Sequence, residues 1–266
     1  MHQAVTKYRY YLRSITNLLT RFHDPVLIVK IFTGIGARGV KTVHVRRPDL
    51  KFEVRSPMDV WSVKEATVDL LYTRYGFPVQ PGWTVVDIGA AIGEFAVYVG
   101  NADSRNRVLA FEPFPESVML LCNNIRLNNL ANVQVFPVAV SSKPGTMMLD
   151  VSSGEPLKIE SKSVTTGTES RIAVNSVSLK DVLSHTEHDR IDLLKLDCEG
   201  SEYDILLTAT DEVLQRINRI VMEYHDTLTE HTHKDLVVFL RAHGYTVDAV
   251  PNAVHPTEIG YLRASR

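Results

Sequence analysis

The sequence predicts an α/β protein built on a mostly parallel seven-stranded sheet with helices on both faces. Strand and helix patterns alternate from residue 81 onward, and the strand patterns are short apolar runs of the kind found in buried parallel strands. Residues 83–93, W-T-V-V-D-I-G-A-A-I-G, combine such a strand with a tight glycine turn and the start of a helix. The last two strand patterns have no helix between them, which predicts an antiparallel hairpin at the C-terminal end of the sheet.

Residues 1–80 are predicted to form a helical and hairpin cap on a main domain that spans residues 81–266. The cap contains a helix over 4–21, an alternating apolar and polar stretch over 40–55 that predicts a hairpin with a turn near Pro48, and a helix over 61–75 that ends at Gly76. For the first helix, packing against the domain or a second subunit is favoured. Contact with an anionic membrane surface is the alternative, because the helix is basic and amphipathic.

Residues 34–39 contain a literal G-x-G-x-x-G after an apolar run, which would suit a dinucleotide such as NAD and an oxidoreductase. That fingerprint requires a helix to follow the glycines, and hairpin patterning follows instead. We therefore interpret residues 34–39 as a turn and keep the NAD-dependent oxidoreductase as an alternative.

The elements of the main domain follow from periodicity, apolar runs and turn residues. The polar, Gly/Ser/Thr-rich stretch 141–176 is an insertion with strand-like pieces at 146–151 and 171–174, whose order the pattern does not predict. Strands are predicted at 83–86, 107–111, 133–138, 191–196, 217–222, 245–250 and 258–263, and helices at 94–99, 115–130, 178–184, 202–216 and 231–243.

Length, charge and cysteine content narrow the classes of function. A chain of 266 residues can bury a sizeable core, and its formal net charge of −2 gives no electrostatic reason to expect nucleic-acid binding. Two cysteines are too few for a disulfide framework or zinc knuckle and are expected as reduced thiols in a cytoplasmic protein. No run reaches the ~18 apolar residues of a membrane span. The basic N-terminus lacks the apolar core of a secretory signal, although an organellar presequence stays open.

The glycine turn after the first main-domain strand indicates the ligand. The middle glycine of a dinucleotide fingerprint is absent, and Asp87 stands at the turn, which suits a cationic ligand better than a phosphate. S-adenosylmethionine is such a ligand. Gly89 is expected to let the backbone approach it closely, because a Cβ there would occupy the ligand's space.

Acidic residues and a histidine follow four of the predicted strands, and the carboxyl ends of parallel strands meet at one crevice. Asp87 ends the first strand, and Glu112, 25 residues later, is placed to bind both ribose hydroxyls. The third strand end supplies Asp197, Glu199 and Glu202, and the fourth supplies Glu223, His225 and Asp226.

His225 is the best candidate for a general base, because its unperturbed pKa lies near ~6.5. Glu223 stands two residues before it in a strand whose side chains alternate, so both should point to the same side. Asp197 and Glu199 hold the same relation at the neighbouring strand end if the chain stays extended. The predicted catalytic set is therefore His225, Glu199, Asp197 and Glu223. A divalent cation held by these groups is a less favoured alternative, and no metal site is assigned.

Six stretches together resemble the FkbM family of S-adenosylmethionine-dependent methyltransferases over residues 60–245 or so. The chain departs from the usual family pattern at Ala91, where asparagine is common, and at Cys198, where an aliphatic residue is common. The matching stretches are D-I-G-A-A-I-G-E-F at 87–95, A-F-E-P-F-P at 110–115, N-N-I-R-L-N-N-L at 123–130, V-F-P-V-A-V-S at 135–141, I-D-L-L-K-L-D-C-E-G-S-E-Y at 191–203 and I-V-M-E-Y-H at 220–225.

The resemblance implies a class I methyltransferase, or Rossmann-like, fold and methylation of a hydroxyl on a sugar, glycolipid or polyketide-like metabolite. The residues expected to bind the cofactor are Asp87, Gly89, Ala90, Gly93, Glu112, Pro113, Ala139 and Asp197. A nucleic-acid methyltransferase is disfavoured, because the chain lacks an N-P-P-Y-like loop and a surplus of basic residues. A binding protein that keeps only the cofactor fold is a further alternative.

Overall fold

The computed structural model describes residues 2–36, 38–150, 157–158 and 171–266. Its centre is a seven-stranded sheet, as predicted. In spatial order the strands are β12 (Thr246–Pro251), β13 (Ile259–Ser265), β11 (Arg219–His225), β10 (Leu193–Leu196), β3 (Thr84–Ile88), β4 (Arg107–Phe111) and β5 (Val133–Phe136).

The sheet is parallel from β11 to β5, and β13 runs antiparallel to both β11 and β12. This arrangement confirms the predicted C-terminal hairpin. β11 is three residues longer at its end than the predicted strand 217–222, because Glu223 and His225 still pair with Tyr261 and Ile259 of β13. The extension matters, since it carries two of the predicted catalytic residues inside a strand rather than in a loop.

Helices cover both faces of the sheet, and alternate strand residues feed two separate cores. Val85, on one face of β3, packs in the core that also contains residues of α4 and α5, whereas Val86 belongs to the core that contains residues of α6 to α9. These helices are α4 (Glu94–Ala102), α5 (Pro115–Leu127), α6 (Leu179–Ser184), α7 (Ser201–Leu207), α8 (Asp211–Leu214) and α9 (His233–Ala242).

Two helix predictions need correction. The single helix expected over 202–216 is two helices, α7 and α8, because Thr208 bonds back to the Asp204 carbonyl and Thr210 adopts an extended conformation. The helix expected over 61–75 begins earlier, as α3 (Pro57–Lys64), and continues as two π-helical turns, Glu65–Asp69 and Tyr72–Gly76. Its end at Gly76 is as predicted.

The N-terminal segment packs on the main core. It comprises α1 (His2–Thr20), α2 (Pro25–Thr33) and the predicted hairpin, formed by antiparallel β1 (Lys41–Val45) and β2 (Leu50–Val54). Leu18 and Phe22 are buried in the same core as Val85. The buried Lys64 ammonium donates to Ser14 Oγ at 2.9 Å, which ties α3 to α1. The domain boundary at residue 80 stays a prediction.

The insertion forms a second, four-stranded sheet beside the main one. Its order is β6 (Ala139–Ser141), β9 (Arg171–Ser178), β7 (Gly145–Asp150) and β8 (Leu157–Lys158). Both strand-like pieces of the predicted insertion are therefore present, although residues 151–156 and 159–170 lie outside the described residues. None of the helices among the described residues is long and apolar enough to cross a membrane.

Candidate active site

The carboxyl ends of β3, β4, β10 and β11 open into one cavity of about 710 Å³. This volume lies within the ~300–1,000 Å³ typical of small-molecule sites. Three groups of residues contribute to the lining of the cavity: the glycine turn with Glu112, the predicted catalytic set, and aromatic side chains of the N-terminal segment. The strand ends therefore converge on one crevice, as the topology predicts.

Glu112 lies on one side of this cavity, and both oxygens of its carboxylate accept hydrogen bonds from the backbone. Its Oε2 accepts the Ala91 N–H at 2.9 Å, and its Oε1 accepts the Phe114 N–H at 2.8 Å. Burial raises the pKa of Glu112 to about 7, although the two backbone donors oppose that rise. Ala91 adopts a left-handed conformation, with φ of 46°. Asparagine tolerates that conformation better than alanine, which accounts for the asparagine common at this position in the family pattern, whereas nothing in the structure explains the alanine found here.

Asp87 requires a correction, because it does not line the cavity. It is fully buried, and its Oδ1 lies 2.9 Å from the Lys195 ammonium. Lys195 Nζ also donates to the Gly89 carbonyl at 2.7 Å. Burial disfavours the cation, but Asp87 and the nearby Asp197 outweigh it and raise the pKa of Lys195, which stays charged. The pair supports the glycine turn from inside the protein.

Gly89 lines the cavity, but the reason for a glycine differs from the expected one. A Cβ at this position would lie 1.8 Å from the main-chain oxygen of Asp197, and φ is +73°. The crowding therefore comes from the end of β10 and not from a ligand. Ala90 and Gly93 do not line the cavity, whereas Pro113 and Ala139 do.

The predicted catalytic residues come together at the other side of the cavity. Asp197, Glu199 and His225 each offer one atom that could bind a metal, and these three atoms lie within 4.8 Å of one another. This spacing would also admit a cation. Glu223 lines the same cavity. Tyr224 points elsewhere and stacks on His233, with ring centroids 4.4 Å apart. The predicted alternation along β11 is thus present.

Glu202 is a residue of this cluster that the sequence analysis named but did not assign to the site. Its carboxylate accepts the N–H groups of Cys198 and Gly200, at 2.6 and 2.7 Å, and its Oε1 lies 3.4 Å from His225 Nδ1. On the other side of the ring, His225 Nε2 lies 3.7 Å from Glu199 Oε2. Glu199 has φ of 50°, so the chain bends here instead of staying extended.

The carboxylates determine the protonation of His225. Burial alone would lower its pKa, but Glu202, Glu199 and Asp197 outweigh burial and raise the pKa of His225 to about 10. Burial likewise raises the pKa of Glu223 well above its usual range, and Asp197 adds to the effect. The imidazole therefore carries a proton at neutral pH, because its carboxylate neighbours raise its pKa above the unperturbed value near ~6.5.

The cavity has an aromatic wall that the sequence patterns did not predict. Tyr72 Oη donates to Asp197 Oδ2 at 2.5 Å. Tyr10 Oη and Trp61 Nε1 both donate to Glu65 Oε1, at 2.6 and 2.9 Å. A cluster of aromatic residues in the cap was the available signal, but helical spacing alone assigns such residues to a core. The cavity is also lined by Tyr11 of the cap and by Asn252, His255 and Tyr261 near the C-terminus.

The 34–39 stretch has the reverse of the order that a dinucleotide fingerprint needs, since a helix precedes it and a strand follows it. Gly36 has φ of +71°, and no atom of the part of the chain that the structure describes lies within 4 Å of where its Cβ would be. We expect Gly36→Ala to leave affinity for S-adenosylmethionine unchanged and to lower the free energy of unfolding by ~1 kcal/mol. Calorimetric titration and urea unfolding measure the two effects. A large loss of affinity in a folded variant would contradict the turn interpretation.

Comparisons with known proteins agree with this architecture. The model of the Methyltransferase FkbM domain matches residues 87–247. The 31-O-demethyl-FK506 methyltransferase FkbM of Streptomyces tacrolimicus is 28% identical over 86% of this chain and 94% of its own. The AMB antimetabolite synthetase AmbE of Pseudomonas aeruginosa is 28% identical over 72% of this chain, which spans 11% of that protein.

A third relative, the hexuronic acid methyltransferase AglP of Haloferax volcanii, is 25% identical over 70% of this chain and 78% of its own. The matched FkbM-domain range covers more than half of the chain and contains the glycine turn, Glu112 and the His225 cluster. The chain therefore belongs to the FkbM methyltransferase family.

Proposed function

We propose that this chain transfers the methyl group of S-adenosylmethionine to a hydroxyl oxygen of a sugar, glycolipid or polyketide-like metabolite. The observation that carries the proposal is the single cavity that joins the Gly89 turn and Glu112 to the His225 cluster. Family membership supports methyl transfer. Two relatives are named for 31-O-demethyl-FK506 and for hexuronic acid, which suggests a hydroxylated small molecule as the acceptor.

The cofactor side of the cavity fits S-adenosylmethionine. Each Glu112 oxygen accepts one backbone N–H and keeps a lone pair, so the carboxylate can accept from two ribose hydroxyls. Ile88, Phe111 and Val140 give the same side an apolar wall suited to an adenine ring. When bound, the cofactor would supply a methyl group activated by a positively charged sulfur. The remaining tasks of the protein are to place the acceptor and to remove its proton.

We assign proton removal to His225, oriented by Glu202 and Glu199. A positive charge in the cavity favours the neutral form of the imidazole, because like charges repel. Cofactor binding should therefore lower the pKa of His225 toward neutrality and free its ring to accept the hydroxyl proton. Tyr72 holds Asp197 beside this ring, so Asp197 acts as a positioning residue in the proposal.

The aromatic wall supports a hydroxylated, partly apolar acceptor. Tyr10 and Trp61 orient the Glu65 carboxylate from the wall of the cavity, and Tyr261 lies near Glu223. Aromatic faces pack against the apolar faces of sugar and polyketide rings, while carboxylates accept hydrogen bonds from hydroxyl groups. This combination of groups is the reason for proposing a hydroxyl acceptor.

Methyl transfer can be tested with labelled S-adenosylmethionine and a panel of acceptors that includes hexuronic acids and macrolide polyketides with free hydroxyls. We expect labelled product together with S-adenosylhomocysteine, and mass spectrometry should place the new methyl group on oxygen. A methyl group on nitrogen or carbon would contradict the assignment of the acceptor atom. Binding of NAD with reduction of the nicotinamide would support the oxidoreductase alternative instead.

Glu112→Ala should weaken binding of S-adenosylmethionine by ~1–3 kcal/mol, because ribose hydroxyls would lose their acceptor. Isothermal titration calorimetry gives the affinities. Glu116→Ala is the matched control, since the Glu116 side chain is 69% exposed and lies outside the cavity lining. Equal affinity in wild type and in the Glu112→Ala variant would remove Glu112 from the cofactor site.

A further inference from the structure

α1 and α2 expose a run of apolar side chains to solvent. On α1 these are Tyr8, Leu12, Ile15 and Leu19, with exposed fractions of 70, 54, 53 and 40%. Spacings of three and four residues place them on one side of the helix. On α2 the exposed apolar side chains are Val26, Val29 and Phe32, and Ile35 follows that helix. We call these eight side chains the apolar stripe. Among the described residues, ten of the seventeen large hydrophobic side chains that are exposed lie between residues 8 and 40.

The opposite face of α1 is already occupied. Ser14 and Leu18 are buried, and Asn17 donates to Asp69 at 2.8 Å. The favoured expectation from sequence, that the helix packs against the domain, therefore holds for this face. It does not account for the apolar stripe, because the stripe turns away from the domain.

The N-terminal segment that carries the apolar stripe is rich in basic residues. Residues 1–48 contain nine lysine and arginine residues and a single acid, Asp24, whereas the whole chain has a net charge of −2. Arg9 and Arg13 each follow a stripe residue and so lie about 100° further round α1, at the edge of the stripe. An apolar face bordered by basic residues and tyrosines is typical of helices that lie in the interface of an anionic membrane.

We propose that the apolar stripe binds an anionic membrane surface. Charge decides between this partner and a second copy of the chain. Two copies would bring eighteen positive charges and two negative ones together, and the like charges would repel. An anionic lipid surface attracts each basic side chain instead.

Membrane contact would also explain how the cavity receives its acceptor. Tyr10 and Tyr11 line the cavity, and both belong to the helix that carries the stripe. A membrane-bound α1 would hold the mouth of the cavity close to the lipid headgroups. Under the proposed function, on which this step rests, the acceptor is an amphiphile whose hydroxylated part projects from the membrane.

The test is sedimentation of the full chain with vesicles of phosphatidylcholine, with and without phosphatidylglycerol, in the absence of cofactor. We expect binding to the anionic vesicles only, and weaker binding as salt is raised. The double variant Leu12→Glu/Ile15→Glu should bind at least ~10-fold more weakly, because both side chains lose apolar burial and gain repulsion from the lipid. The double variant Arg9→Glu/Arg13→Glu should also bind anionic vesicles more weakly than wild type, by a similar factor.

Val238→Glu is the matched control, since Val238 is 69% exposed on α9, outside the stripe, and its variant should bind vesicles like wild type. No binding of wild type to anionic vesicles would contradict the proposal. So would light scattering that shows a wild-type dimer and a monomeric Leu12→Glu/Ile15→Glu variant, because the stripe would then join two copies. Calorimetric titration with S-adenosylmethionine is independent of these results, so a failure of membrane binding can be told from a failure of the proposed function.

Discussion

His225→Ala is expected to lower kcat by ~10²–10⁴-fold while affinity for S-adenosylmethionine is retained. The imidazole lies in the cavity between Glu199 and Glu202, and it is the group to which we assign the acceptor's proton. Glu112 and the glycine turn, on the other side of the cavity, are unchanged by the substitution. Initial rates with a saturating acceptor and calorimetric titration of the cofactor measure the two quantities.

The pH dependence gives the same hypothesis a second test. Only the neutral imidazole accepts a proton, so the rate should rise with pH through one ionisation. In the ligand-free protein the pKa of His225 is raised to about 10, and a positively charged ligand should move it downward. We therefore expect the rising limb of kcat/KM for S-adenosylmethionine, which reports the enzyme before the cofactor binds, at higher pH than the rising limb of kcat.

His231→Ala is the control, since His231 is exposed and does not line the cavity. Activity that resists a chelator is also expected. Loss of activity on chelation, with recovery on adding a divalent cation, would assign Asp197, Glu199 and His225 to a metal site instead. Near-normal kcat for His225→Ala in the presence of chelator would contradict both roles and move the base to Glu199.

Lys195→Met should lower the free energy of unfolding by ~3–5 kcal/mol, because it leaves the Asp87 carboxylate buried without its partner. The exposed fractions of the two side chains are 2% and 0%. Affinity for S-adenosylmethionine should fall as well, since the Gly89 carbonyl loses the donor that positions the turn. Urea unfolding and calorimetric titration measure the two losses.

Two further variants test whether the lost stability comes from the unpaired buried charge, and whether the lost cofactor affinity depends on which buried ion pair is broken. Asp87→Leu/Lys195→Met should recover much of the stability, because no unpaired charge is left in the core. Lys64→Met breaks a second buried pair, in which Lys64 Nζ lies 3.0 Å from Asp69, and should destabilise the chain without weakening the cofactor site directly. A Lys195→Met variant as stable as wild type would show that the ion pair does not support the turn.

Sequence patterns predicted the strands and the strand-end acids well, because each strand is a short apolar run between clear turn residues. The placement of Glu223 and His225 on one side of β11 also followed from the alternation of side chains along a strand. The pattern was clear because β11 carries polar residues only at its ends. In β3 the alternation of apolar and polar residues does not predict which way a side chain points. Four of its five residues are fully buried, so periodicity cannot tell whether Asp87 faces the cavity or the core.

The acceptor side of the site could not be predicted for a different reason. The hydrogen bond from Tyr10 to Glu65 joins α1 to the first π-helical turn across 55 residues of chain, so it depends on how the helices of the cap pack together. Such long-range contacts leave no spacing signal in the sequence. The high pKa of His225 depends in the same way on Glu202, which the bend at Glu199 brings close to the ring.

A crystal structure with bound S-adenosylhomocysteine tests the central claim most directly. We predict that the ribose hydroxyls bind Glu112, that the adenine lies against Phe111, and that the sulfur is directed toward the side of the cavity that holds His225 and Glu199. A ligand bound outside this cavity, or one whose sulfur points away from His225, would contradict the account.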